Sequence, residues 1–371
     1  MAEPDRCRLR DLGVAIGRLP AGPLNAITDV PGVRVGHCTV SWGGPELPHG
    51  SGPARTGVTT VFPHGGDVWH ERVIAGAFAA NGVGEVIGIS AIREWGLIET
   101  PVLLTNSQSA GAVYDAAVRW MMDHDPLIGI EDAVMPVVGE CDDGFLNDLR
   151  GMHVKEEHVR EALDGASAGP VAEGCVGAGT GMSCYDFKAG IGTSSRLVEA
   201  HGHHYTVGVL ALANFGVRHR LQIDGVPVGR EIADLMPVEN RQGSCIVVLA
   251  TDAPLSSRQC ERMAKRCALG LALTGSYASD GSGEIMVAFS TVRRAPRASA
   301  ELRTAVSVAN EQMQQLFEGA VDATAESVVN SICAAHTTVG RDGNTAFALP
   351  LDRLVAIMHA HGREARLPDG A

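Results

Sequence analysis

Apolar positions along the chain fall into two rhythms. Ile246 to Thr251 is a short, mostly β-branched run between a polar stretch and "DAPLSS", which predicts a buried strand. Beyond it, Cys260, Met263, Cys267 and Leu271 recur at steps of three and four, one apolar helix face, with Ser256 or Ser257 as N-cap and Gly275 as the stop. The same signals predict strands at Val33–Val35, Val58–Phe62, Pro101–Leu104, Ala133–Val138, within "HYTVGVLALANFG" (204–216) and at Ile285–Ser290. Helices are predicted over Ala110–Met122 and in "KEEHVREALDGA", ending at Gly165. A further helix is expected through Leu302, Val306, Ala309, Met313 and Leu316, and a neighbouring one through Val328, Ile332 and Cys333. Strands and helices intermingle with neither linker nor internal repeat, so residues 1–371 are expected to form one mixed α/β domain.

Composition narrows the function. With 45% apolar and 20% charged residues the chain has a globular make-up. Its net charge of -13 argues against nucleic acid or an anionic membrane as partner, since both require basic patches. Nine cysteines without a Cys-x-x-Cys pair point to free thiols in a reducing compartment. "MAEPDRCRLRDLG" carries no apolar signal-peptide core, and no apolar run approaches the roughly 18 residues of a membrane span. A cytoplasmic protein is expected.

Four stretches invite chemistry. "GAGTG" (Gly177–Gly181) lacks the strand before and helix after that dinucleotide binding needs, and reads better as close backbone packing around a site. The histidines of "HGHH" (His201, His203, His204) have no acidic or thiol partners at ligand spacing and read as a solvated loop. Gly243-Ser244 opens the core strand. A serine hydroxyl needs a base, and no G-x-S-x-G elbow is present. Were the preceding peptide bond cut, Ser244 would gain its own α-amine, with an unperturbed pKa of roughly 7.7–8.0, as that base. On these residues alone a plain strand-edge serine is the favoured reading. In "SDGSGEIMVAFS", Ser282 and Glu284 lie two apart before a strand, so an extended backbone points both to one side.

Taken together, "RDLGVAIGRLPAGPLNAITDVPGVRVGH", "ETPVLLTNS", "FLNDLRGMHV", "GCVGAGTGM", "FKAGIGTSSR", "IDGVPVGR", "GSCIVVLATDAPL" and "GSGEIMVAFST" resemble the L-aminopeptidase/D-esterase and β-aminopeptidase family, the DmpA-like self-processing serine aminopeptidases. The resemblance implies a four-layer αββα sandwich similar to N-terminal nucleophile hydrolases but differently connected. It also implies self-cleavage into 1–243 and 244–371, assembly of the cleaved heterodimers into a homo-oligomer, and small peptide, aminoacyl amide or ester substrates, with no metal or organic cofactor. Position by position it makes Ser244 the nucleophile and Gly243 the new C-terminus. Ser282 and Glu284 become the pair beside the nucleophile and its amine, Asn214 an oxyanion-hole donor, and Glu140 the holder of the substrate ammonium. One departure stands out: Cys141-Asp142 replaces an expected Thr/aromatic pair. An acyltransferase resembling the ornithine acetyltransferases, or an uncleaved binding protein of the same fold, are the alternatives.

Overall fold

A computed structural model describes residues 6–238, 243–297 and 304–368. Its strands build two main sheets. The first has the order β1 (Arg34–Trp42), β2 (Ala54–Phe62), β6 (Val102–Asn106), β7 (Val137–Cys141), β4 (Val86–Ile87). The second runs β10 (Ile191–Ala200), β11 (His203–Ala213), β12 (Cys245–Thr251), β13 (Gly283–Pro296), β3 (Glu71–Gly82), β5 (Leu97–Ile98). Two small hairpins, β8–β9 (Ser183–Cys184, Phe187–Lys188) and β14–β15 (Thr338–Val339, Thr345–Ala346), complete the strands. The helices are α1 (Ile89–Trp95), α2 (Ala110–His124), α3 (Glu156–Asp164), α4 (Val228–Glu231), α5 (Ser257–Leu273), α6 (Gln314–Cys333) and α7 (Leu351–Ala360).

Period-two alternation decides the layering. In β12, Cys245, Val247 and Leu249 enter the apolar cluster under α5 and α6, while Ile246, Val248 and Ala250 enter the cluster between the sheets. Strand β13 divides likewise, with Met286 and Ala288 on the helix side and Ile285, Val287 and Phe289 on the sheet side. In the first sheet Val102, Leu104 and Val137 face the second sheet, and Leu103 and Val138 face α2 and α3. The result is helix, sheet, sheet, helix: the αββα sandwich that the resemblance implies. Each sheet contains one parallel pair, β6–β7 and β12–β13, and each pair is joined through an outer helix, α2 and α5.

Most predicted elements are present with altered ends. Ser256 caps α5, its side chain accepting from the Gln259 N–H, and Gly165 ends α3. Strand β7 starts at Val137 rather than Ala133, the intervening residues being irregular up to Pro136. The helix expected from Leu302 to Leu316 is absent over the described residues 304–309. Val306 is 71% exposed and α6 begins only at Gln314, continuing through Val328, Ile332 and Cys333 as one helix. Leu302 lies outside the described residues. Helical spacing of apolar residues does not bury them when the segment crosses the surface ahead of α6. The "HGHH" segment forms an exposed turn between β10 and β11, with His203 and His204 opening β11.

Helix α6 is anchored by charge as well as by packing. Glu326, fully buried, accepts from Arg196 Nη2 (2.6 Å), Arg10 Nε (2.7 Å) and Asn25 Nδ2 (2.5 Å). Burial alone would raise its carboxyl, but Arg196 and Arg10 hold it below the usual value. Glu326→Ala leaves the wholly buried Arg196 guanidinium without its counter-charge. It should cost about 3–5 kcal/mol in denaturant unfolding; a loss under about 1 kcal/mol would show that Arg196 is satisfied by its backbone partners alone.

Candidate active site

The site forms where the carboxyl ends of β6 and β7 meet the amino ends of β12 and β13. Ile246 packs on Gly139: a Cβ built at Gly139 would lie 3.0 Å from Ile246 Cγ2 and 3.1 Å from Leu104 Cδ2. That contact fixes Ser244, two residues before Ile246, beside Glu140, one residue after Gly139. The segment after β3 closes the site from above. A Cβ at Gly84 (φ +153°) would lie 3.4 Å from Glu140 Oε1, 3.7 Å from Gly283 Cα and 3.8 Å from Ser244 Cβ. A serine, a carboxylate and two side-chain-free backbones thus surround one small space. Ser244 itself is 6% exposed.

Glu140 is held by both oxygens. Oε1 accepts from the Glu85 N–H at 2.7 Å, and Oε2 accepts from the Ser107 hydroxyl. Each carboxylate oxygen keeps a lone pair for a further donor such as an ammonium. On the neighbouring strand Ser282 Oγ donates to Glu284 Oε1 at 2.6 Å, and Glu284 Oε2 is buried with no partner. Glu284 pairs with Cys245 across the ladder, one residue from Ser244. Burial raises its carboxyl above the usual value, against hydrogen bonds from Ser282 and Asn81.

Asn214, just past the end of β11, touches the other side. Its N–H donates to the Ser244 carbonyl at 3.1 Å, its Oδ1 accepts from the Ser183 N–H at 2.9 Å, and its Nδ2 donates to the Asp142 carbonyl at 2.7 Å. A Cβ at Gly243 would lie 1.9 Å from the Asn214 carbonyl oxygen and 2.5 Å from its Nδ2, so only glycine fits directly ahead of Ser244. All six residues singled out in the sequence therefore converge here.

A family model for peptidase family S58 matches residues 25–346, most of the chain. The chain belongs to peptidase family S58. This S58 protein is 42% identical to the beta-peptidyl aminopeptidase BapA of Sphingosinicella microcystinivorans, over 96% of this chain and 93% of that one. Among solved structures it matches a Burkholderia sp. beta-aminopeptidase (TM-score 0.89, 42% identity, 96% and 99% coverage). It also matches the L-aminopeptidase D-Ala-esterase/amidase of Ochrobactrum anthropi (TM-score 0.91, 41% identity, 96% and 99% coverage). The latter is described as a prototype of the serine aminopeptidases and a new variant of the Ntn hydrolase fold. The S58 protein is accordingly a hydrolase, an aminopeptidase of the N-terminal-nucleophile type. No helix among the described residues is long and apolar enough to cross a membrane.

Several site residues escaped sequence reasoning. Ser107 and Glu85 orient Glu140 from elsewhere in the first sheet's connections, and Asn81 stands opposite Glu284 in the β3–β13 ladder. The parallel pairing of β6 with β7 was the one available hint, since it sets Asn106 beside Cys141 and so brings Ser107 to Glu140. Cys141 is fully buried, its Sγ facing the Leu212 carbonyl oxygen at 3.9 Å. Burial pushes its thiol well above the usual value, so it stays neutral and does not compete as a nucleophile. The glycine-rich stretch does pack backbone on backbone. A Cβ at Gly181 would meet the Arg55 carbonyl at 2.2 Å and Asp143 Cβ at 2.7 Å.

Asp143 supports the turn that follows Glu140. It is wholly buried, its Oδ1 accepts from Asn147 Nδ2 at 2.9 Å, and its Oδ2 has no partner. Burial raises its pKa to about 7, hydrogen bonds from Thr56 and Asn147 opposing. A carboxyl with a folded pKa above its unfolded value contributes stability that is complete below about pH 4 and lost as pH rises through about 7. Asp143→Asn should remove this loss: melting temperatures of variant and wild type should draw together or cross in the variant's favour between pH 4 and 8. Curves that stay parallel across that range would mean that Asp143 titrates normally.

Proposed function

We propose that Ser244 is the nucleophile, and that the chain creates it by cutting itself between Gly243 and Ser244. The observation that carries this is the placing of a buried serine, Ser244, and a doubly held carboxylate, Glu140, around Gly84. In self-cleavage the Ser244 oxygen adds to the Gly243 carbonyl carbon, the C–N bond breaks, and the resulting ester is hydrolysed. The products are a Gly243 carboxylate and a Ser244 α-amine. Glycine at position 243 supports this because any side chain there collides with Asn214.

In turnover the α-amine takes the hydroxyl proton as Ser244 attacks the substrate carbonyl, and passes it to the leaving amine. Water then releases the acyl group. The unpartnered Glu284 oxygen is the acceptor suited to the Ser244 ammonium, with Ser282 fixing the carboxylate plane. Asn214 Nδ2, once directed from the Asp142 carbonyl to the substrate, supplies an N–H where the oxyanion develops. Glu140 holds the substrate ammonium, which restricts cleavage to the N-terminal residue of aminoacyl amides, esters or short peptides. Two relatives named for β-peptides or β-amino acids, each 42% identical, support including β-aminoacyl substrates. Nine unpaired thiols support a reducing, cytoplasmic setting, and family membership supports a homo-oligomer of cleaved heterodimers.

Intact mass of the purified protein tests the proposal. Scaling 38.8 kDa by length gives pieces of about 25 and 13 kDa. The Ser244→Ala chain should remain whole and fail to hydrolyse aminoacyl amides. An active wild-type preparation with only the full-length mass would refute self-cleavage.

A further inference from the structure

Strand β6 links two different places. Its carboxyl end delivers Ser107 to Glu140, while at its amino end Pro101 lines a second cavity, about five residues or roughly 17 Å along the strand. This cavity has a volume of about 400 Å³ and opens between the first sheet and the carboxyl ends of α2 and α3. That size suits a small organic molecule. Its walls are unlike the rest of an aromatic-poor chain: Phe62, Trp69 and Trp120 all line it, with Met121 and Leu163. Trp120 stands edge-on to Phe62 at 5.8 Å between ring centroids.

Arg34 supplies the charge. Its guanidinium carbon lies 4.5 Å from the centroid of the Phe62 ring, its Nε is buried without a hydrogen-bond partner, and among the described residues no carboxylate lies within 4.0 Å of it. Each of the three carboxylates lining the same cavity already accepts a hydrogen bond. Asp164 accepts from Trp120 Nε1 at 2.8 Å, Asp125 from the Leu127 N–H at 2.8 Å, and Asp67 from His70 Nδ1 at 2.6 Å. An arginine in a partly buried, aromatic wall with no carboxylate in ion-pair contact can anchor a single added carboxylate. The three nearby aspartates disfavour a dianion such as phosphate, because every added negative charge is repelled.

We propose that this cavity is a second binding site, separate from Ser244, for a small monocarboxylate with an aromatic or branched apolar body. The carboxylate docks on Arg34 and the body lies among Phe62, Trp69 and Trp120. Aromatic amino acids and short aromatic peptides, the sort of product an aminopeptidase releases, belong to this class. The proposal does not depend on the nucleophile assignment, since neither Ser244 nor Glu140 lines the cavity.

The test uses 3-phenylpropanoate and 3-phenylpropanamide, which share a body and differ in charge, titrated into the wild-type protein by calorimetry and tryptophan fluorescence. Saturable binding of the carboxylate is expected, with the amide weaker by roughly tenfold or more, the worth of a charge-assisted hydrogen bond. This comparison needs no variant. In Arg34→Gln the two probes should bind equally weakly. Equal affinity of the two in wild type, or no saturation by about 10 mM carboxylate, overturns the proposal. Binding that survives Arg34→Gln, or that is strictly competitive with substrate, places the probe at the Ser244 site and overturns it too.

Discussion

The contact of Ile246 with Gly139 is the constraint on which the geometry around Ser244 rests. It joins the two sheets through the apolar layer between them, where burial of each such aliphatic side chain contributes about 1.5–3 kcal/mol. Because a strand alternates with period two, seating Ile246 against the first sheet also commits Val248 and Ala250 to that layer and turns Cys245, Val247 and Leu249 toward the helices. Ser244 then has no freedom of register: a slip of one residue would bury it under α5 instead of opening it to Glu140. Gly139 makes this possible by offering no side chain where Ile246 must sit.

Upon that frame the site concentrates polar groups that would be costly elsewhere. Glu140, Glu284, Ser282, Asn214 and Ser244 are all buried; Glu140 and Asn214 are held by partners from other segments, and Ser282 holds Glu284 from two residues away. Glu284 keeps one oxygen unsatisfied and Asp143 another. Unpaired buried acceptors reduce stability, and at Glu284 the cost has a chemical use, since a positive charge arriving beside β12 finds a carboxylate ready for it. Asn214 connects the parts: it lies against the residue before Ser244, the turn after Glu140 and the end of the glycine-rich stretch.

Much of this was legible before any coordinates. The β12 and α5 patterns are undiluted because both faces of β12 are buried and α5 has one apolar stripe. Ser282 and Glu284 were readable because period two applies up to the start of β13. The start of β7 was misplaced because Ala133 and Val134 extend its apolar run across irregular backbone. The helix at 302–316 was read from spacing that the surface segment does not use. Gly84, Glu85 and Asn81 carried no local signal, and Ser107, which ends the "ETPVLLTNS" block, carried none that assigned it a role, since these roles arise only when chain ends of separate strands meet. The aromatic cavity beside Arg34 was invisible for the same reason: Trp120 lies far in sequence from Phe62 and Trp69, and Arg34 on another strand.

The central claim is that the Ser244 α-amine is the catalytic base, and the pH dependence of kcat/KM for a small aminoacyl amide tests it most directly. A terminal ammonium accepts no proton, so the rate should fall about tenfold per pH unit below the amine's pKa, which is roughly 7.7–8.0 before the site perturbs it. Removing the Glu284 charge with Glu284→Gln withdraws support from the ammonium, so the acidic limb should move to lower pH while kcat falls. A wild-type profile flat down to about pH 5, with Ser244 still essential, would contradict the account and require a different base.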